Sequence, residues 1–146
     1  MDQLSDILNN IPGRAEVCDF VLLNDGVLDE VWKLDTDAGA YVLRRDKPFA
    51  RQIGLNRDGE YEVLKAAATK DCAPLPVWRD ATAGLLLAEY LEGSPLTEQA
   101  IVRDQMLVAV GRLLRKLHGC KPAVRVVDYA GYVDRYLLAA DHPDRQ

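Results

Sequence analysis

Leu4, Ile7, Leu8 and Ile11 recur at helical spacing ahead of Pro12-Gly13, which predicts a short amphipathic helix closed by that pair. Residues 17–23 read as a strand, and Asn24-Asp25-Gly26 as the turn that ends it. Val31-Trp32-Lys33-Leu34 is strand-like, residues 35–39 are a second turn, and AYVLRR (residues 40–45) is a third strand. The first third of the chain therefore predicts an antiparallel meander with tight turns. Residues 46–54, with Pro48 among them, predict a loop. Asn56 is placed to cap a helix that runs through Glu60, Tyr61, Val63 and Leu64 to Ala68. Pro74 and Pro76 bracket the entry into a strand at residues 77–79, residues 80–84 form a hairpin turn, and LLLAEYL (residues 85–91) is apolar enough for a buried strand. Gly93-Ser94-Pro95 breaks the pattern. Thr97 can cap a helix, and residues 101–118 carry Met106, Val110, Leu113, Leu114 and Leu117 on one stripe. Gly119 is a stop signal. Asp128 can cap a last helix with Tyr129, Tyr132, Val133, Tyr136, Leu137 and Ala140 on one face.

Five strands with one helix inserted after the third, followed by helices alone, is an α+β order. Its 146 residues suit about one compact unit with a real core. Eighteen basic against 23 acidic residues give a net charge of −5, which argues against a nucleic-acid partner, because phosphate backbones need a basic face. No apolar run approaches a membrane span, and the acidic start lacks the features of a secretory signal, so the expected location is the cytoplasm. Cys18, Cys72 and Cys120 stand far apart with no C-x-x-C pair, so free thiols are expected rather than a disulfide or thiolate zinc site.

Four stretches carry candidate chemistry. LNDGVLDEVWKL (residues 23–34) puts Gly26 in the turn between the first two strands. In YVLRR (residues 41–45), strand alternation sets Val42 and Arg44 on one face and Leu43 and Arg45 on the other, which leaves Arg45 solvated. In LNRDGEYEVL (residues 55–64), Glu60 shares an inward helical stripe with Val63, Leu64 and Ala67. LLLAEYLEG (residues 85–93) is a buried strand running into a polar connection. Taken singly, each has a plainer reading: a hairpin turn, edge-strand arginines, a solvated glutamate, a core strand.

In this order and spacing they resemble the aminoglycoside phosphotransferase/choline kinase superfamily, particularly its choline-, ethanolamine- and thiamine-kinase-like members, over residues 21–119. The resemblance implies a protein-kinase-like small lobe at residues 1–92, a five-stranded antiparallel sheet with one inserted helix. A hinge and the first helices of the large lobe would follow at residues 93–146. It further implies ATP as cofactor. Arg44 would take the phosphate-binding role of the strand lysine in kinases, with Val42 beside it, Glu60 would hold the guanidinium, and Gly26 would belong to the loop that covers the phosphates. Backbone groups of Glu89 (C=O) and Leu91 (N–H) would border the adenine, with Ala88 behind it. Leu28 and Asp29 depart from the family pattern, and a carboxylate at residue 29 opposes phosphate.

The His-x-Asp-x-x-x-x-Asn loop and later Asp of relatives have no full counterpart in these residues. His142-Pro143-Asp144 matches only its first three positions and too close to Leu117-His118. No catalytic or metal-ligating residue is therefore assigned, and Mg²⁺ would require the remaining large lobe. The uncovered helical stripes favour self-association or that lobe as partner. A non-catalytic nucleotide-binding or interaction module of the same fold and an unrelated α+β domain remain as other readings. The expected outcome for the 146-residue chain is no ADP release with choline, ethanolamine, thiamine or aminoglycosides, measured by a coupled assay; turnover would overturn this expectation.

Overall fold

The computed structural model describes residues 7, 11, 16–102, 104–122, 124 and 128–140. The expected N-terminal helix, apart from Ile7 and Ile11, and His142-Pro143-Asp144 lie outside them. Five strands form one antiparallel sheet: β1 (Val17–Asp25), β2 (Asp29–Thr36), β3 (Gly39–Asp46), β4 (Pro76–Asp80) and β5 (Leu85–Glu89), in the spatial order β1-β2-β3-β5-β4. The first three are the expected meander. The helices are α1 (Pro48–Gln52), α2 (Arg57–Ala68), α3 (Glu98–Ile101), α4 (Asp104–His118) and α5 (Tyr129–Ala140).

Alternation sorts the sheet into two faces. Leu34, Leu43 and Leu87 project to one, where Ile11 completes a buried cluster flanked by Ile7, Val17, Trp32, Tyr41 and Trp78. Leu34 and Leu43 are wholly buried, each stabilising the fold by about 2–3 kcal/mol. On the other face Arg44 lies between Val31 of β2 and Leu86 of β5, and Val42 between Lys33 and Ala88. α2 lies over this second face at β4. Arg79 of β4 pairs with Asp58 and stacks 4.5 Å from the Tyr61 ring centroid.

Five sequence expectations are corrected. Residues 46–54 are not all loop: Pro48 opens α1, because a proline ring sets the φ of a first helical turn whose N–H needs no partner. Ala50 and Ile53, in and just after that turn, are buried. β2 begins two residues earlier than its apolar run, at Asp29-Glu30, because Glu30 finds Arg45 across the strands at 2.6 Å. Arg45 is consequently paired and half-buried rather than solvated. β5 stops at Glu89, and the helix expected from residue 101 is divided, with α3 ending at Ile101 and α4 starting at Asp104.

The expected caps form. Asn56 accepts from the Gly59 N–H at 2.9 Å, Thr97 from Ala100 at 3.2 Å and Asp128 from Gly131 at 3.1 Å. The Gly119 N–H closes α4 onto the Arg115 and Lys116 carbonyls. α5 is tied to α1 and the residue after it: Tyr136 meets Phe49 edge-on, and Arg135 Nε donates to the Ile53 carbonyl at 3.2 Å. Leu113, Leu114 and Val133 nonetheless remain nearly half exposed. Cys18, Cys72 and Cys120 are free thiols. No helix among the described residues is long and apolar enough to cross a membrane.

The β4–β5 turn has one fixed requirement. Gly84 sits at φ +67°, and a Cβ there would approach the Asp46 Cβ to 2.6 Å. Both the left-handed backbone and the close approach demand glycine. Gly84→Ala is expected to destabilise the chain by about 2–4 kcal/mol, read as a lowered denaturant midpoint; an unchanged midpoint would contradict this packing.

Candidate functional site: a chain of alternating charges under the sheet

β3 delivers Arg44 to the α2 face of the sheet, and the capped first turn of α2 delivers Glu60 opposite it. The two meet through a fork. Arg44 Nη1 donates to Glu60 Oε1, and Nη2 to Oε2 at 2.8 Å. This is the pair that the family resemblance implies, with Arg44 on one face of its strand and Glu60 on the inward stripe of its helix. Two parallel N–H···O bonds fix a guanidinium in its plane as well as in its position. Arg44 Nε is left buried without a hydrogen-bond partner, and the nearest charge to it is Asp29 Oδ2 at 3.9 Å.

The pair is the centre of a longer arrangement. Arg57, one turn before Glu60 on α2, donates Nη1 to the same Glu60 Oε2 at 2.8 Å. Its other edge forks onto Asp46, from Nε to Oδ2 at 2.9 Å and from Nη2 to Oδ1 at 2.5 Å. Asp46 is only 5% exposed and is the one buried charged residue among those described. Asp29, Arg44, Glu60, Arg57 and Asp46 thus alternate in sign, three carboxylates against two guanidiniums. Burial on its own pushes the Glu60 carboxyl upward. The hydrogen bonds and charges of Arg44 and then Arg57 outweigh it and hold the group below the ordinary 4.5. For Arg57 burial likewise disfavours the charge, but Asp46 and Glu60 raise its pKa above the usual value.

The other expected residues sit apart from this pair. Val42 is two residues along β3, beside Ala88. Lys33, its neighbour on β2, bonds Asp35 at 3.0 Å and lies 5.1 Å from the Tyr90 ring. At the end of β5 the Tyr90 N–H donates to Ala40 and the Glu89 N–H to Leu75. Leu91 lies two residues past the end of β5. Leu91 is exposed. Gly26 closes its own turn, its N–H donating to the Asp29 carbonyl at 2.9 Å. That turn is tied to the end of β3, where the Lys47 N–H donates to Leu28 at 2.9 Å and Lys47 Nζ meets Asp25 at 2.5 Å.

Arg57 and Asp46 were not singled out from the sequence. Arg57 stands three residues before Glu60, a spacing that places them on one helix face, but its fork onto Asp46 arises only when β3 and α2 are brought together. Among the described residues no group of three or more His, Cys, Asp or Glu is arranged to hold a metal ion.

Glu60→Gln removes the carboxylate that both arginines share. We expect it to cost about 1–2 kcal/mol near pH 7, the pair being only partly buried. Because the folded-state pKa of Glu60 is depressed, its contribution is complete above the ordinary value of 4.5 and fades as the pH falls through the lower folded value. Denaturation of wild type and variant at pH 7 and pH 3 should therefore show the gap narrowing on the acid side; a constant gap would contradict a depressed Glu60.

The chain is also comparable with known proteins. Residues 19–146 match the family described as the phosphotransferase enzyme family, APH. Among solved structures, a choline/ethanolamine kinase family protein from Mesorhizobium loti superposes with a TM-score of 0.67 at 23% identity. That match covers 97% of this chain and 46% of the other. The ethanolamine kinase Pv091845 of Plasmodium vivax gives a TM-score of 0.58 at 16% identity, over 98% of this chain and 36% of that one. No curated protein sequence matches. The chain thus spans less than half the length of either solved structure, and at these identities the likeness is one of fold: a five-stranded antiparallel sheet with helices, kinase-like in arrangement. With 128 of its 146 residues inside the match, the chain belongs to the phosphotransferase enzyme family.

Proposed function

We propose that the chain is the amino-terminal, nucleotide-binding portion of an ATP-dependent small-molecule phosphotransferase, with choline- or ethanolamine-like acceptors the nearest analogy. The Arg44–Glu60 fork under the sheet is the observation that carries this reading. A permanently charged, forked guanidinium positioned by a helix carboxylate suits the α- and β-phosphates of a nucleotide once it turns from that carboxylate. In this reading Val42 and Ala88 line the adenine end, the Glu89 C=O and Leu91 N–H read the base, and the Gly26 turn covers the phosphates. Residues 1–92 act as the nucleotide lobe and residues 93–146 begin the helical one. ATP is the cofactor, and Mg²⁺ would be held by carboxylates from the remaining large lobe. That lobe, or a second copy of the chain, would cover the exposed stripes of α4 and α5. The three free thiols favour a reducing compartment, and we assign the protein to the cytoplasm.

One observation favours a second reading, a non-catalytic module derived from this fold. Asp29 stands 3.9 Å from Arg44 Nε, so the guanidinium is flanked by two carboxylates before any phosphate arrives. A third negative group must compete with both, which lowers affinity for a nucleotide.

Titration of the chain with ATP by calorimetry tests the nucleotide reading. Binding is expected to be weak and to fall at least tenfold in Arg44→Ala, through loss of a charge-assisted contact of about 1.5–3 kcal/mol. Equal affinities in wild type and variant would remove Arg44 from the site.

A further inference from the structure

Arg44 uses both terminal nitrogens on Glu60. To reach a phosphate it must turn, and one of those nitrogens must leave the carboxylate. In isolation that step would strand a half-buried negative charge, and the cost would oppose nucleotide binding. The geometry supplies a remedy at one atom. Glu60 Oε2 accepts from Arg44 Nη2 and from Arg57 Nη1, both at 2.8 Å. If Arg44 Nη2 departs, Oε2 keeps a charged donor.

Arg57 is itself held in place. Its other edge is forked onto buried Asp46. Asp46 is fixed in turn, because its N–H donates to the Gly84 carbonyl at 2.8 Å and its side chain fills the space that a Cβ on residue 84 would need. The charged groups facing Glu60 are Arg44 on β3 and Arg57 on its own helix. Asp29 and Asp46 stand behind these two arginines, and Arg79 of β4 is engaged with Asp58 and Tyr61.

We propose that Arg57, anchored on Asp46, is a positioning residue for nucleotide binding: it retains the Glu60 carboxylate when Arg44 turns toward phosphate. This rests on the nucleotide reading above and adds a residue to it. Arg57 does not touch the nucleotide. It frees Arg44 to do so.

Two measurements on the 146-residue chain separate this role from a merely structural one. The first is the titration of the Glu60 carboxyl by carbon-detected NMR. In Arg57→Gln the midpoint is expected to rise from its depressed value toward 4.5. The second is calorimetric titration with Mg·ATP at neutral pH. Arg57→Gln is expected to weaken binding about 3- to 10-fold, less than the loss of a direct charge-assisted contact, because Arg57 acts only through Glu60. Arg57→Lys keeps a cation beside Glu60 but cannot fork onto Asp46, and should recover part of both effects. If Arg57→Gln does not fold, the Lys variant decides, through a smaller shift and a smaller loss in the same directions.

An unmoved Glu60 midpoint overturns the inference, and so does a shifted midpoint with unchanged ATP affinity. A wild-type chain that binds no ATP overturns the nucleotide reading and this inference with it. That failure is distinct, because it is seen before any Arg57 variant is compared.

Discussion

A carboxylate that is only partly in water must be compensated where it stands, and this constraint organises the α2 side of the sheet. Glu60 gains from ionisation only because two guanidiniums reach it, and each of those needs a second carboxylate to be at ease with its own burial. The outcome is a row of charges, Asp29 to Asp46, that links the start of β2, the centre and end of β3 and the first turn of α2. Pairs at the surface are worth little on their own. Here they share atoms, so displacing one group disturbs the solvation of the next. Their main contribution is to direction: Arg44 faces one way, with a donor unspent.

The opposite face does different work. Leu34, Leu43 and Leu87 supply the apolar burial that keeps the strands in register, and that register places Arg44 and Val42 beside Leu86 and Ala88. A one-residue slip of β3 would send Arg44 into the leucine cluster and Leu43 to α2. The apolar face therefore enforces the polar one, and the row of charges needs no sequence signal of its own to find its geometry.

This division explains what could be read from the chain alone. The faces of Arg44 and Glu60 were legible because each follows a simple period, two along a strand and 3.6 along a helix, and the family resemblance brought those faces together. Three caps, at Asn56, Thr97 and Asp128, and the stop at Gly119 were legible because they depend on neighbours within four residues. The start of β2 was not, since Asp29 and Glu30 carry no apolar signal and owe their pairing to Arg45, fifteen residues beyond Glu30. Pro48 suggested a break where it opens a helical turn, since a proline serves either purpose and only the buried Ala50 and Ile53 decide. Arg57 escaped notice for the same reason as Glu30: its partner Asp46 is eleven residues away and becomes adjacent only when strand and helix have docked. The family resemblance was legible in the order of motifs, whereas the acceptor of any phosphate was not, because nothing in the sheet or α2 is shaped by it.

The end of β3 has a wider bearing than its length suggests. Through two backbone amides, Asp46 and Lys47 fasten the turn of the β4–β5 hairpin at Gly84 and that of the β1–β2 hairpin at Leu28. Surface turns are ordinarily the part of a protein most open to change, yet these two are moored to the same pair of residues. The two turns share one anchor, and where Gly84 meets Asp46 there is no room for so much as a methyl group.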